Sequence, residues 1–222
     1  MEKLATRSVS SVSYSLGSIT RVIVDCTLEK NEVSTAEKLG ESAANTHFDY
    51  WFLEDIPYGE TNRLEGFLFP DTYDFYVNDD PDRVLEKLLS NFNRKFSDDA
   101  SAQLETLNTA LAERWTAKGY DESYIEAHRM TIYDLVNVAS MIEKETDGND
   151  RADIASVIYN RLNNPGAGTT GHLNIDATIQ YVLPEGEIVS EEDYYTVESP
   201  YNTYLNKGLP PGPIANPGLE SI

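Results

Sequence analysis

The chain has 222 residues, with 17 Lys and Arg against 38 Asp and Glu, and a formal charge of −21. That charge excludes direct nucleic-acid binding, which needs a positive surface to displace counterions from phosphate, and it disfavours docking on anionic lipid through a basic patch. A hydrophobic content of 40% with 14 tyrosines supports one good-sized core, or one domain with a small appendage, and excludes disorder throughout. The one cysteine, Cys26, excludes an intrachain disulfide framework and a cysteine-based zinc site.

No apolar run of the length that crosses a membrane occurs in the sequence. The Ser-rich start, residues 1–18, lacks the compact apolar stretch of a signal peptide and reads as disordered. Ile19 to Leu28 alternates and is rich in β-branched residues, which predicts a strand. Ser34 and Glu37 form a Ser-x-x-Glu capping box and predict a short helix to Ala44. His47 to Asn62 reads as a linker rich in aromatics and Gly.

Leu64 to Tyr76 (LEGFLFPDTYDFY) carries aromatic or Leu side chains at seven of thirteen positions, while Gly66 and Pro70 forbid a long helix. It is expected to be an irregular packed loop leading into a strand. Asp80-Pro81 is a helix start, followed by Val84, Leu85, Leu88, Leu89, Phe92 and Phe96 at helical spacing. A further helix is expected over Ala100–Lys118, ended by Gly119. Thr131 and Asp134 cap a helix to Thr146, Gly148 suits a left-handed C-terminal cap, and Asn149 or Asp150 with Asp153 starts another helix to Leu162. These two helices form a hairpin. Ile175–Leu183 is expected as a short helix or strand. The end, GLPPGPIANPGLESI, stops inside a Pro/Gly-rich loop and predicts a chain cut before its last element.

On a wheel at about 100° per residue, the apolar residues of the Thr131–Thr146 helix fill one sector. Glu143 and Glu145 both fall inside it, towards opposite borders, and Lys144 points away. Acids are rarely buried unless paired. Either each Glu pairs with an Arg, caps a neighbouring element or lies in a frayed last turn, or at least one of them lines a cleft, where burial raises its pKa and suits it to general-acid work. The wheel does not choose between the two. His47, His128 and His172 are scattered without metal-ligand spacing. The Gly166–Gly171 segment lacks the Lys of a phosphate loop. The tyrosines Tyr194, Tyr195, Tyr201 and Tyr204 suit either sugar stacking or packing.

Five segments occur in order: LEGFLFPDTY (Leu64–Tyr73), ASMIEKET (Ala139–Thr146), DRADIASVIYNRL (Asp150–Leu162), L-x-x-D-x-T-x-x-Y (Leu173–Tyr181) and SPYNTY…GLPPGPIANPG (Ser199–Gly218). Together they resemble the MltG/YceG-like endolytic murein transglycosylases. The resemblance implies an α+β fold: a helical hairpin carrying the catalytic acid, packed with short strands and irregular loops. A small LysM-like unit over 19–60 would precede a catalytic domain over 61–222. It also implies a bacterial enzyme outside the cytoplasmic membrane, anchored by an N-terminal helix that this chain does not contain. That enzyme cuts the MurNAc-β-1,4-GlcNAc bond of peptidoglycan glycan strands to leave 1,6-anhydro ends. No cofactor or metal is implied, and cell-wall synthases are the expected partners. The alternatives are a muramidase that uses water and a non-catalytic glycan-binding or divisome scaffold.

The resemblance implies that the catalytic acid is Glu145, the Glu directly before Thr in E-K-E-T. Tyr201, Asn202 and Tyr204 are expected to bind the sugar, with Asp176, Thr178 and Tyr181 as further polar groups and Leu209 and Pro210 in a cleft wall. Glu143, Glu65, Asp71, Asn160 and Arg161 are expected in supporting or structural roles.

Overall fold

Local signals set most of the helix boundaries. Helix α1 (Ala36–Asn45) is followed by a 3-10 turn, Trp51–Leu53. Helix α2 (Pro81–Lys95) starts where Asp80 accepts from the backbone N–H of Asp82 and Arg83 with Pro81 in the first turn. Helix α3 (Asp98–Ala117) ends before Gly119, whose φ is 85°. Helix α4 (Glu122–Ala127) is capped by Asp121. Helix α5 (Ile132–Glu145) opens with the Thr131–Asp134 capping box, both halves of which are formed. Helix α6 (Arg151–Asn163) follows the tight connection at Gly148, φ 109°, and packs against α5. Short helices α7 (Asp176–Gln180) and α8 (Asp193–Thr196) follow.

The computed structural model describes residues 7–8, 36–73, 75, 79–96, 98–163, 170–184 and 186–222. The strand expected over Ile19–Leu28, with Cys26, lies outside the described residues, as do Ser34 and most of the Gly166–Gly171 loop. Among the described residues the one sheet is an antiparallel pair of β1 (Arg7–Ser8) and β2 (Thr72–Tyr73), with Arg7 opposite Tyr73 and Ser8 opposite Thr72. The fold is thus mixed and mostly helical, with very few strands.

Among the described residues, two hydrophobic clusters hold it together. The first joins Leu39, Phe48, Phe52, Phe67, Leu88 and Phe92 with Val136 of α5. Phe52 stacks on Phe67 at 5.3 Å and leans on Phe92 at 4.8 Å. The second joins Met141 of α5 to Ile158, Leu173, Ile175 and Ile214. Burial of each such side chain is worth about 1.5–3 kcal/mol. Helix α5 feeds both clusters, so its far end is held at a fixed place between them.

One expectation is corrected. His47–Asn62 is not a linker, because Phe48, Phe52, Leu53 and Ile56 are buried in the first cluster. The segment is stapled by Arg63, itself buried, which donates to the carbonyls of Ile56, Ala43 and Thr46 and lies 4.0 Å from the Tyr58 ring. The first cluster therefore draws residues from both sides of position 60.

Candidate active site

Glu143 and Glu145 leave the end of α5 in different directions. Glu143 Oε2 accepts from the Ser221 hydroxyl at 2.6 Å and from the Gly218 backbone N–H at 3.2 Å. This acid clasps the C-terminal segment to the helix. Glu145 instead meets the start of α7. Its residue surface is exposed, yet the carboxyl is partly desolvated there, and that burial raises its pKa. The Ala177 backbone N–H and the Arg161 charge oppose the rise, and the Asp176 charge adds to it.

Asp176 is held by two phenols. Tyr204 donates to Oδ1 at 2.5 Å and Tyr194 donates to Oδ2 at 2.9 Å. Their rings stack at 4.1 Å and 3°. Tyr204 is pushed far above the ordinary phenol range, by burial first and by the Asp176 hydrogen bond second. Arg161 donates to the carbonyls of Leu173 and Asn174, which ties α6 to the approach to α7. Asn160 is not part of this group: it faces α3, where it accepts from Arg114 at 3.1 Å.

A second polar group lies beyond the other end of α7, about 7.5 Å along the axis from Asp176 to Tyr181. Tyr181 packs on Tyr201 at 4.9 Å, and Asn62 donates to the Tyr181 hydroxyl at 3.3 Å. Tyr133 of α5 reaches the Pro211 carbonyl at 3.4 Å. Burial is the leading cause that raises the phenols of Tyr133 (to about 12), Tyr181 and Tyr201, and the Glu65 charge contributes to each.

Two of the expected sugar-binding groups turn inward. Asn202 is fully buried; its amide donates to Val197 and Tyr194 carbonyls, and its oxygen accepts from the Tyr204 N–H. Thr178, equally buried, donates to the Ile175 carbonyl at 2.7 Å and shares a bond with Thr203. Both hold the loop that presents the tyrosines, because a buried polar group is stable only when its bonds are made inside. Pro210 is buried and offers its carbonyl to Asn137, and Leu209 packs on the second cluster. Asp71 accepts from Asn91 and from the Thr72 N–H, and the Asn91 bond is the main reason its carboxyl is lowered. It closes the turn before β2.

A cavity of about 460 Å³ lies elsewhere, between α3, α4 and the end of α6, lined by Trp115, Tyr124, His128 and Tyr159 among others. It shares Leu209 with the expected substrate wall but contains neither Glu145 nor Asp176. The exposed end of α5, where Glu145 meets Asp176, therefore lies outside this cavity.

The sequence matches the YceG-like family over residues 4–222. The chain belongs to the YceG-like family. Among its relatives, the endolytic murein transglycosylase of Bacillus subtilis (strain 168) is 35% identical over 162 residues, covering 71% of this chain and 37% of that protein. The endolytic murein transglycosylase of Streptococcus pneumoniae serotype 2 (strain D39) is 29% identical over 181 residues, covering 77% of this chain and 28% of that protein. The chain thus spans roughly a third of the length of these curated relatives. A crystal structure of a yceG-like protein from Listeria monocytogenes superposes with a TM-score of 0.62 at 25% identity, covering 99% of this chain and 64% of that one.

In this YceG-like chain, sequence reasoning missed the polar face of α5. Tyr133, Asn137 and Ser140 grip the Pro210–Ile214 segment: Asn137 donates to Pro210 at 2.8 Å and Ser140 accepts from the Ile214 N–H at 3.0 Å. Their i, i+4, i+7 spacing inside an otherwise apolar helix was the available signal.

Proposed function

We propose that this YceG-like chain is the catalytic part of an endolytic peptidoglycan lytic transglycosylase, with Glu145 as its acid and base. The observation that carries this reading is the division of labour on α5. Glu143 is occupied by Ser221 and Gly218, whereas Glu145 is raised by burial and lies beside Asp176, which Tyr194 and Tyr204 hold. The names of the two curated relatives support the reaction class.

In the proposed reaction, protonated Glu145 donates to the glycosidic oxygen as the bond from the MurNAc anomeric carbon breaks. The Asp176 charge beside Glu145 favours the positive charge that develops. The C6 hydroxyl of the same MurNAc then bonds to the anomeric carbon, and Glu145 takes its proton. The products are a GlcNAc end and a 1,6-anhydro-MurNAc end; no water is consumed, and Glu145 finishes protonated. Tyr201 and Tyr204, both half-buried, offer ring edges and hydroxyl oxygens to the sugar, while Tyr181, buried against Tyr201, backs that wall. The substrate is peptidoglycan glycan strands, which places the activity outside the cytoplasmic membrane, with cell-wall synthases as partners.

Digestion of purified peptidoglycan followed by mass spectrometry tests the proposal. The expected result is 1,6-anhydro ends, with Glu145→Gln slower by about 10²–10⁴-fold. Reducing ends alone would assign a hydrolytic muramidase. Unchanged cleavage by Glu145→Gln would remove this residue from the chemistry, and a parent chain that binds glycan without cutting it would mark a binding module.

A further inference from the structure

Glu65 is the buried acid that the proposed reaction leaves unused. The residue is 2% exposed, in the turn that runs from Thr61 to Leu68. Its Oε1 accepts from the Asn216 amide at 3.3 Å, while Oε2 is buried with no hydrogen-bond partner. The other buried side-chain polar atom without a partner, among the described residues, is Oδ1 of Asn137.

These two orphaned oxygens belong to elements in direct contact. Gly66 follows Glu65, Val136 precedes Asn137, and a Cβ placed on Gly66 would lie 2.5 Å from Val136 Cγ1. Two acceptors cannot satisfy each other, but one proton between them satisfies both. The groups that face Glu65 do not neutralise a charge by pairing with it. Tyr133 comes from α5, Tyr181 from the end of α7 and Tyr201 from the following loop, and all three are neutral phenols. Asn216 is a neutral amide. Lys144 of α5 acts on Glu65 through its charge, and this is outweighed by burial. A buried carboxylate with one long amide bond is far less stable than the neutral acid.

We propose that Glu65 is a proton-bearing positioning residue whose neutral carboxyl donates to Asn137 and thereby locks the strap Pro210–Asn216 beside Tyr201. Asn137 holds the strap through Pro210, and Asn216 holds it through the Gly66 and Leu68 N–H groups. One proton thus ties together the turn, α5 and the strap. The functional part of this inference rests on the reading that Tyr201 and the strap border the glycan site. Burial raises the Glu65 carboxyl to about 8. The folded chain then keeps a proton that the unfolded chain releases in the ordinary carboxyl range. Stability should fall as pH rises from that range towards about 8 and level off above it.

Glu65→Gln keeps the shape, a donor for Asn137 and an acceptor for Asn216, but cannot titrate. Thermal unfolding of parent and Glu65→Gln between pH 5 and pH 9 should show the decline in the parent and its loss in the variant. Carboxyl-carbon NMR of Glu-labelled parent chain, assigned by the peak missing in Glu65→Gln, should titrate near pH 8. For turnover, the ratio of pH 8.5 to pH 6.5 should be about fourfold higher in Glu65→Gln than in the parent, from the fraction of acid left protonated; Glu145 titrates in both and cancels. Glu65→Leu, which offers no donor, should lose turnover that Glu65→Gln retains. An ordinary carboxyl titration for Glu65, or equal pH slopes in both chains, would overturn the proposal. Failure of the parent to cut glycan would defeat the function reading and leave the NMR and unfolding results to decide the proton.

Discussion

Replacing Asn216 by alanine removes a single side chain that satisfies three buried groups. Its oxygen accepts from the Gly66 N–H at 2.9 Å and the Leu68 N–H at 3.0 Å, and its amide donates to Glu65 at 3.3 Å. The residue is 3% exposed, so water does not readily replace these bonds. Each stranded backbone N–H costs about 1–3 kcal/mol, and the longer bond to Glu65 less. The sum centres on about 4 kcal/mol, a large share of the roughly 5–15 kcal/mol that holds a domain folded. Equilibrium urea unfolding measures it: the midpoint should drop while the slope m stays the same. Asn206→Ala is the control, because its amide bonds to Ser199 and Asn202 carbonyls at the surface and should cost less than about 1 kcal/mol. A loss below about 1 kcal/mol for Asn216→Ala would refute the claim that this side chain fastens the Leu64–Phe69 turn.

Further consequences follow from the same contacts. Gly66→Ala combines a φ of 90° with a Cβ 2.5 Å from Val136 Cγ1 and 2.7 Å from Pro213, and should destabilise by about 3 kcal/mol or more in urea unfolding. Glu143→Ala frees Gly218 and Ser221 and should cost about 2 kcal/mol of stability, yet the glycan-digestion assay should still show cleavage. Asp176→Asn removes a charge that raises the Glu145 carboxyl. The alkaline limb of the pH–turnover profile should therefore move to lower pH, and an unmoved limb would remove Asp176 from the site.

Elements with local signals were legible in the sequence. Asp80-Pro81, the Thr131–Asp134 box and the Gly148 turn each fix a helix end through bonds between residues a few positions apart. Helix α4, six residues long, escaped because it is too short to show a period. The His47–Asn62 segment was misread because Phe48 and Phe52 look alike in a loop and in a core; only α2 and the Leu64–Phe69 turn, packed against them, decide the matter.

The two acids show most clearly where reading by sequence stops. Composition and periodicity placed Glu143 and Glu145 on one apolar helix sector, and the family motif pointed to Glu145. What separates them physically is Ser221 and Gly218, more than seventy residues away, closing on Glu143 alone. Distance along the chain also hid the inward turn of Asn202 and Thr178 and the burial of Glu65. The sequence by itself determined the charge of −21, the longer helices and the order of the motifs, because these depend on residue type and near neighbours. Only the tertiary structure decided which polar groups are consumed internally and which stay exposed, because that depends on partners brought together by the two hydrophobic clusters.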